Sequence, residues 1–304
     1  MLLNELKQKI DVIKKEKDIA IAAHSYQSPE ILEVADIVGD SFSLSVEAAK
    51  IPHKTVLMCG VRFMADTVKI LSPDKKVVLA APTATCPMAE QISPDRVLEY
   101  KKNNPSSVVV CYVNTTTELK AASDVCVTSS SALKIVDSID AEEFLFIPDK
   151  NLGGYIKEQL PNKNIVLWDG YCPVHNMVTS EECETAKANY PNLKILAHPE
   201  LPAEVLTHAD VIGSTAAIIE YAKTHDEDFI IGTEKTITDS LNLQNPNRNY
   251  YTLSKNLICP DMRITTLTDV YKALCDTGGE EITIPEQLQL KAKNSIDKMI
   301  ELGK

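Results

Sequence analysis

Long apolar runs are missing from this chain. The best candidate, VVLAAP at residues 77–82, has the length of a strand, far short of the roughly 18 apolar residues that a membrane span needs. The opening segment MLLNELKQKIDVIKKEK is charged and amphipathic, without the apolar core and cleavage site of an export signal. We therefore expect a cytoplasmic protein with no membrane contact and mostly reduced thiols. Basic residues are in short supply as well. Against 43 Asp and Glu stand 31 Lys and Arg, a formal charge of −12, which argues against non-specific nucleic-acid binding. Small anionic substrates are not excluded, because a local field can oppose the net charge. Paired Cys-x-x-Cys motifs are absent, so the eight cysteines do not form the usual structural zinc site. A Cys-x-x-x-Cys-x-x-Cys cluster is absent too, which disfavours a radical enzyme using adenosylmethionine. No low-complexity linker interrupts the chain.

What is present is a repeat. Ala35-Asp36-Ile37-Val38-Gly39-Asp40-Ser41, Ser123-Asp124-Val125-Cys126-Val127-Thr128-Ser129 and Ala209-Asp210-Val211-Ile212-Gly213-Ser214-Thr215 read alike, their aspartates 88 and then 86 residues apart. Other features keep that register. Twelve residues before each aspartate stand His24, Tyr112 and His198; ten before stand Tyr26, Asn114 and Glu200; five after stand Ser41, Ser129 and Thr215. About fifty residues after each comes a Cys-Pro pair, at Cys86, Cys172 and Cys259. Such periodicity marks a repeated structural unit.

Within each unit, runs of four to seven apolar or β-branched residues alternate with helical segments, the pattern of buried parallel strands. The first unit offers strands in DIAIAAH, ADIVG, KTVLMCG and KKVVLAAP, with helices starting at Ser41 and over residues 63–71. Ser93-Pro94-Asp95 looks like a helix start, and Thr179-Ser180-Glu181-Glu182 has capping-box form. The expected architecture is α/β: three αβα modules with short parallel sheets, related by a pseudo-threefold axis and set as a triangle around one central site. Module 1 takes residues 1–88, completed by C-terminal helices in 267–304; module 2 takes 89–174 and module 3 takes 175–266.

Ligands of open parallel sheets bind beyond the carboxyl ends of the strands. Ser41, Ser129 and Thr215 would begin helices there, and three helix N-termini with hydroxyls suit carboxylate or phosphate. His24 and His198 would bind the same anions. Tyr26, Tyr112 and Glu200 are the protic groups fit to move protons to and from a substrate carbon. Three convergent thiolates suit an iron–sulfur cluster short of one protein ligand, leaving an iron free to act as a Lewis acid. His175, in Cys172-Pro-Val-His175, lies within reach of that centre. Cys59, Cys111, Cys126, Cys183 and Cys275 have no counterparts in the repeat and read as buried small apolar residues.

These residues carry a resemblance. His24-Ser25-Tyr26-Gln27-Ser28-Pro29-Glu30 with the Asp36 segment, Gly60-Val61-Arg62-Phe63-Met64-Ala65 and Ala84-Thr85-Cys86-Pro87-Met88-Ala89 are similar to successive signatures of the quinolinate synthase family of NAD biosynthesis. Tyr112-Val113-Asn114, Pro148-Asp149-Lys150-Asn151-Leu152, Gly170-Tyr171-Cys172-Pro173-Val174-His175, His198-Pro199-Glu200, Gly232-Thr233-Glu234 and Cys259-Pro260-Asp261-Met262 extend it over nearly the whole chain. The resemblance implies the three-module fold and one oxygen-sensitive [4Fe–4S] cluster on Cys86, Cys172 and Cys259. It implies condensation of iminoaspartate with dihydroxyacetone phosphate to quinolinate, phosphate and water. It makes His24, Ser41, Tyr112, Asn114, Ser129, His198, Glu200 and Thr215 substrate-binding, and Tyr26, Tyr112 and Glu200 the proton carriers. L-aspartate oxidase or aspartate dehydrogenase would be the functional partner. The chain departs from the family pattern at Ser25, at Ser130-Ser131 and at Ala216-Ala217, where altered local packing is expected. The rival readings are a trilobed three-cysteine reductase of the isoprenoid diphosphate type and a non-catalytic metal- or anion-binding protein.

Overall fold

The computed structural model describes residues 3–303. The strands are β1 (Ile19–His24), β2 (Ile37–Gly39), β3 (Thr55–Cys59), β4 (Lys76–Leu79), β5 (Val108–Tyr112), β6 (Val125–Val127) and β7 (Glu143–Ile147). They continue with β8 (Asn164–Leu167), β9 (Lys194–Ala197), β10 (Val211–Ile212), β11 (Phe229–Gly232), β12 (Tyr250–Thr252) and β13 (Glu280–Glu281). They form three sheets, in the orders β13-β4-β3-β1-β2, β6-β5-β7-β8 and β10-β9-β11-β12. Leaving β13 aside, each sheet has the spatial order second–first–third–fourth, and all its pairings are parallel. The repeat read from the sequence is thus a repeat of topology. β13 is the exception that apolar runs do not announce: Glu280 and Glu281 pair antiparallel with β4 at its edge.

The chain falls into two compact units. The first comprises the chain up to Cys86 together with Cys259–Lys293 and holds the five-stranded sheet; the second comprises Pro87–Ile258 with the residues from Asn294 onward and holds both four-stranded sheets. In the first unit the helix Leu267–Leu274 packs on the N-terminal helix Leu3–Glu16. There Val270 and Leu274 share a core with Ile10, Ile21 and Leu57. The last helix, Glu286–Leu302, serves both units in turn. Its Gln289 donates to the carbonyl of Lys69 in the first, and its Ser295 to the carbonyl of Lys120 in the second.

The repeated aspartates turn out to be clamps. Asp36, Asp124 and Asp210 each accept the backbone N–H of the residue 15 positions earlier, Ile21, Val109 and Ile195, at 2.8, 2.9 and 2.8 Å. Each also takes an ammonium from the helix preceding the first strand: Lys14 at 2.9 Å, Lys101 at 2.7 Å and Lys187 at 2.7 Å, offset by 22, 23 and 23 residues. A charged acceptor on a strand N–H is stronger than a neutral one, and the lysine ties helix to strand in the same contact. The lysines were not singled out by the sequence, because each gains its partner only across the fold, 22 or 23 residues along the chain.

Among the described residues, no helix is long and apolar enough to cross a membrane.

Candidate active site

With the order second–first–third–fourth, the order of strand addition reverses between the first and third strands, and a crevice opens at their carboxyl ends. In the third sheet these strands are β9 and β11. β9 delivers His198-Pro199-Glu200 and β11 delivers Thr233-Glu234, joined where His198 N–H donates to Gly232 O at 3.0 Å. A Cβ on Gly232 would meet Ala197 Cα and Leu196 O at 3.2 Å, so the close approach of the strands needs glycine there.

Glu200 is the centre of what assembles. It is 4% exposed, and its Oε1 accepts the Tyr112 hydroxyl at 2.7 Å. Its Oε2 lies 3.0 Å from Nδ1 of His175, which is also buried. The same Nδ1 is 3.3 Å from Cys172 Sγ, and His175 Nε2 is 3.1 Å from Thr233 Oγ1. Nδ1–H donates to the carboxylate, and Nε2 lies against the threonine hydroxyl. The result is a continuous polar line, Thr233–His175–Glu200–Tyr112, with the Cys172 thiol beside it. Asn151 fixes the carboxylate's backbone, its Nδ2 donating to Glu200 O at 2.9 Å and to Asn176 Oδ1 at 3.0 Å.

Burial alone would raise the Glu200 carboxyl. The positive charge and hydrogen bond of His175, then His198 and the Tyr112 hydroxyl, outweigh it and lower the pKa to about 2. The neighbouring Asp149 goes the other way. Burial first and the charge of Glu200 second push its carboxyl well above the usual range. Asp149 works as a joint: Oδ1 caps the helix Lys150–Gln159 through the N–H groups of Asn151 and Leu152, both at 2.9 Å, while Oδ2 accepts Cys172 N–H at 3.1 Å. Gln91 steadies the adjacent residue, giving Nε2 to Tyr171 O at 3.0 Å and taking Tyr171 N–H at 2.8 Å.

The histidines of the repeat share one local geometry. Tyr26 N–H donates to His24 Nδ1 at 3.1 Å, and Glu200 N–H to His198 Nδ1 at 3.3 Å. Each neutral ring therefore carries its proton on Nε2, directed away from the turn as a donor. The His24 and Tyr26 rings meet edge to face at 4.6 Å in the first unit. In the second, Asn114 keeps a buried Oδ1 without a partner among the described residues.

Two of the three hydroxyl positions begin helices as expected, and the third does not. Ser41 and Thr215 are the first residues of their helices, not caps. Asp40 caps the helix Ser41–Lys50 through Phe42 and Ser43 N–H, and Ser214 caps Thr215–Thr224 through Ala217 N–H. Ser129 begins no helix. Thr128 and Ser131 exchange hydroxyl and backbone bonds and hold a turn, delaying the helix to Ala132–Ser138. That turn uses the Ser130-Ser131 departure, both hydroxyls bonding Thr128 Oγ1 at 2.8 and 2.9 Å. At the other departure, a Cβ on Gly213 would meet Ala217 Cβ at 2.9 Å, so the alanine methyl fills space that the glycine leaves.

The cysteines separate by exposure. Cys86, Cys172 and Cys259 are half-buried in loops that follow β4, β8 and β12, while Cys59, Cys111, Cys126 and Cys183 are buried. Cys275 is half-buried rather than buried as expected, because it stands at the C-cap of Leu267–Leu274. Cys172, His175 and Glu200 bring their ligand atoms within 4.8 Å of one another. The imidazole and carboxylate are engaged with each other, with Thr233 and with Tyr112, and Cys172 Sγ lies 3.3 Å from His175 Nδ1. A soft, half-buried thiol such as Cys172 is a ligand of the kind an iron–sulfur centre takes.

The model of the quinolinate synthetase A protein family matches residues 8–301. The chain belongs to that family. It is 46% identical over 302 residues to the quinolinate synthase of Alkaliphilus metalliredigens, covering 99% of this chain and 98% of that one. It is 45% identical to the quinolinate synthase of Clostridioides difficile, covering 98% of each, and 44% identical to that of Caldicellulosiruptor bescii over the full length of both. As a member of the quinolinate synthetase A protein family, the chain is an enzyme of NAD biosynthesis. Residues that the repeat did not mark complete the site: Asp149, Asn151 and Thr233. Pro148-Asp149-Lys150-Asn151 carries the signal of a capped helix start, and Thr233 was marked only by the resemblance of Gly232-Thr233-Glu234.

Proposed function

We propose that the chain makes quinolinate from iminoaspartate and dihydroxyacetone phosphate, releasing phosphate and water. Cys86, Cys172 and Cys259 hold one [4Fe–4S] cluster, and the modules divide as 1–88 with 267–304, 89–174 and 175–266. When bound, the cluster supplies Lewis acidity toward a substrate hydroxyl or carboxylate through its open iron. The rest is work for side chains. The N–H groups that begin Ser41–Lys50 and Thr215–Thr224, with the hydroxyls of Ser41 and Thr215, take carboxylate or phosphate oxygens. His24 and His198 donate from Nε2. Asn114 and Ser129 complete the substrate contacts, and the unpartnered Oδ1 of Asn114 is an acceptor for a substrate hydroxyl or N–H.

The observation that carries this reading is the buried line Thr233–His175–Glu200–Tyr112 beside Cys172. A carboxylate at about 2 stays ionised at neutral pH, so Glu200 acts through its charge. It holds the Tyr112 hydroxyl and the His175 ring in place, and receives a proton only as part of that hydrogen-bonded chain. Tyr112 and Tyr26 are then the groups that hand protons to and from substrate carbon and oxygen during enolisation and dehydration. Iminoaspartate comes from an aspartate-oxidising partner, L-aspartate oxidase or aspartate dehydrogenase.

Glu200→Gln tests the role, because it keeps the shape and removes the charge. Turnover should fall at least 10²-fold with iron content unchanged. Full turnover with an intact cluster would remove Glu200 from the proton path.

A further inference from the structure

In the first unit, the segment that carries Tyr26 is tied to the loop that carries Cys259 by one buried side chain. Gln27 is 0% exposed. Its Nε2 donates to Met262 O at 2.8 Å and lies 3.6 Å from Met262 Sδ. Met262 is itself buried and sits in the 3-10 turn Asp261–Arg263, which follows Cys259-Pro260 directly. On the other side, Gln27 N–H closes a turn onto His24 O at 2.9 Å, the turn in which Tyr26 N–H meets the His24 ring.

The amide is an awkward group to bury here. Its Oε1 has no partner among the described residues, and a buried orphan acceptor carries its full desolvation penalty. Leucine or methionine would fill the same volume without that penalty. What they cannot do is hold the Met262 carbonyl, and through it the turn behind Cys259. A hydrogen bond of defined length fixes a loop's position more tightly than apolar contact, which tolerates sliding.

We propose that Gln27 is a positioning residue for Cys259, setting the presentation of its thiolate in register with Tyr26. The proposal rests on Cys259 being a cluster ligand. Gln27→Leu and Gln27→Met remove the donor with two different shapes, so one variant remains if the other packs badly. Each is purified without oxygen, loaded with iron and sulfide, and exposed to a chelator while the cluster's visible absorbance is followed. Bleaching should run roughly tenfold faster than in the unchanged protein, the scale of one lost neutral hydrogen bond. The metal-free variants should unfold at the same denaturant concentration as the metal-free parent, or a higher one. Bleaching at the parental rate overturns the proposal. So does an equal loss of stability in the metal-free variants, which would make Gln27 a packing residue only. If the unchanged protein takes up no iron, the cluster reading falls and this inference falls with it; parental bleaching in a loaded variant overturns this inference alone.

Discussion

Replacing Tyr112 by Phe removes one oxygen from the polar line and little else. The ring ends β5 and is 5% exposed, so its packing stays. Glu200 Oε1 loses the hydroxyl at 2.7 Å, while Oε2 keeps His175 at 3.0 Å. A hydrogen bond to a buried ionised group is worth about 1.5–3 kcal/mol. The metal-free variant should therefore lose about 2 kcal/mol of stability, and its Glu200 carboxyl should rise from its low value. Loss of a positioned proton carrier costs about 10²–10⁴-fold in rate, far more than a local packing defect would. The assay is quinolinate formed per cluster under anaerobic conditions, with iron measured on the same sample. Iron content should match the parent, because no ligand has changed. Turnover within threefold of the parent, on an intact cluster, would refute the reasoning.

Four further outcomes follow from the same geometry. Thr233→Val removes the hydroxyl 3.1 Å from His175 Nε2, and turnover should fall about tenfold, the scale of one hydrogen bond, with iron retained. Asp149→Asn turns an amide toward the N–H of Cys172, and the loaded variant should lose iron to a chelator faster than the parent. In acid titration of the metal-free protein, Glu200 has a folded pKa below its unfolded one. Its stabilising share is therefore present above about pH 4.5 and lost as pH falls toward 2; Asp149, raised by folding, stabilises at low pH and loses that share as pH rises through its folded value. Denaturant midpoints across this range should show a shallower acid loss in Glu200→Gln. A double-mutant cycle on Lys187→Met and Asp210→Asn should give a coupling of about 0.2–1 kcal/mol, since both partners are partly exposed.

The reading of the sequence succeeded where one physical signal was repeated three times. Four strands per module, their parallel pairing and the cysteine loops after β4, β8 and β12 all follow from apolar runs in a fixed register. Residues that act across the fold were harder to see. Thr233, Asn151 and Gln27 gain meaning only from the partner that tertiary structure brings, 58, 49 and 235 positions away. The hydroxyl register misled at one helix start for a local reason: Thr128 with Ser131 closes a turn where Ser129 was expected to open a helix. The aspartates that first revealed the repeat clamp strands to helices, while Tyr112, His198 and Glu200, in step with them, meet in the second unit.

The central claim is that three thiolates hold a cluster on which quinolinate synthesis depends. Protein purified without oxygen should carry about four irons per chain with matching sulfide, and form quinolinate from iminoaspartate and dihydroxyacetone phosphate. Cys172→Ser should lose the cluster and the product together. Quinolinate formed at the parental rate by iron-free protein, or by Cys172→Ser, would contradict the account.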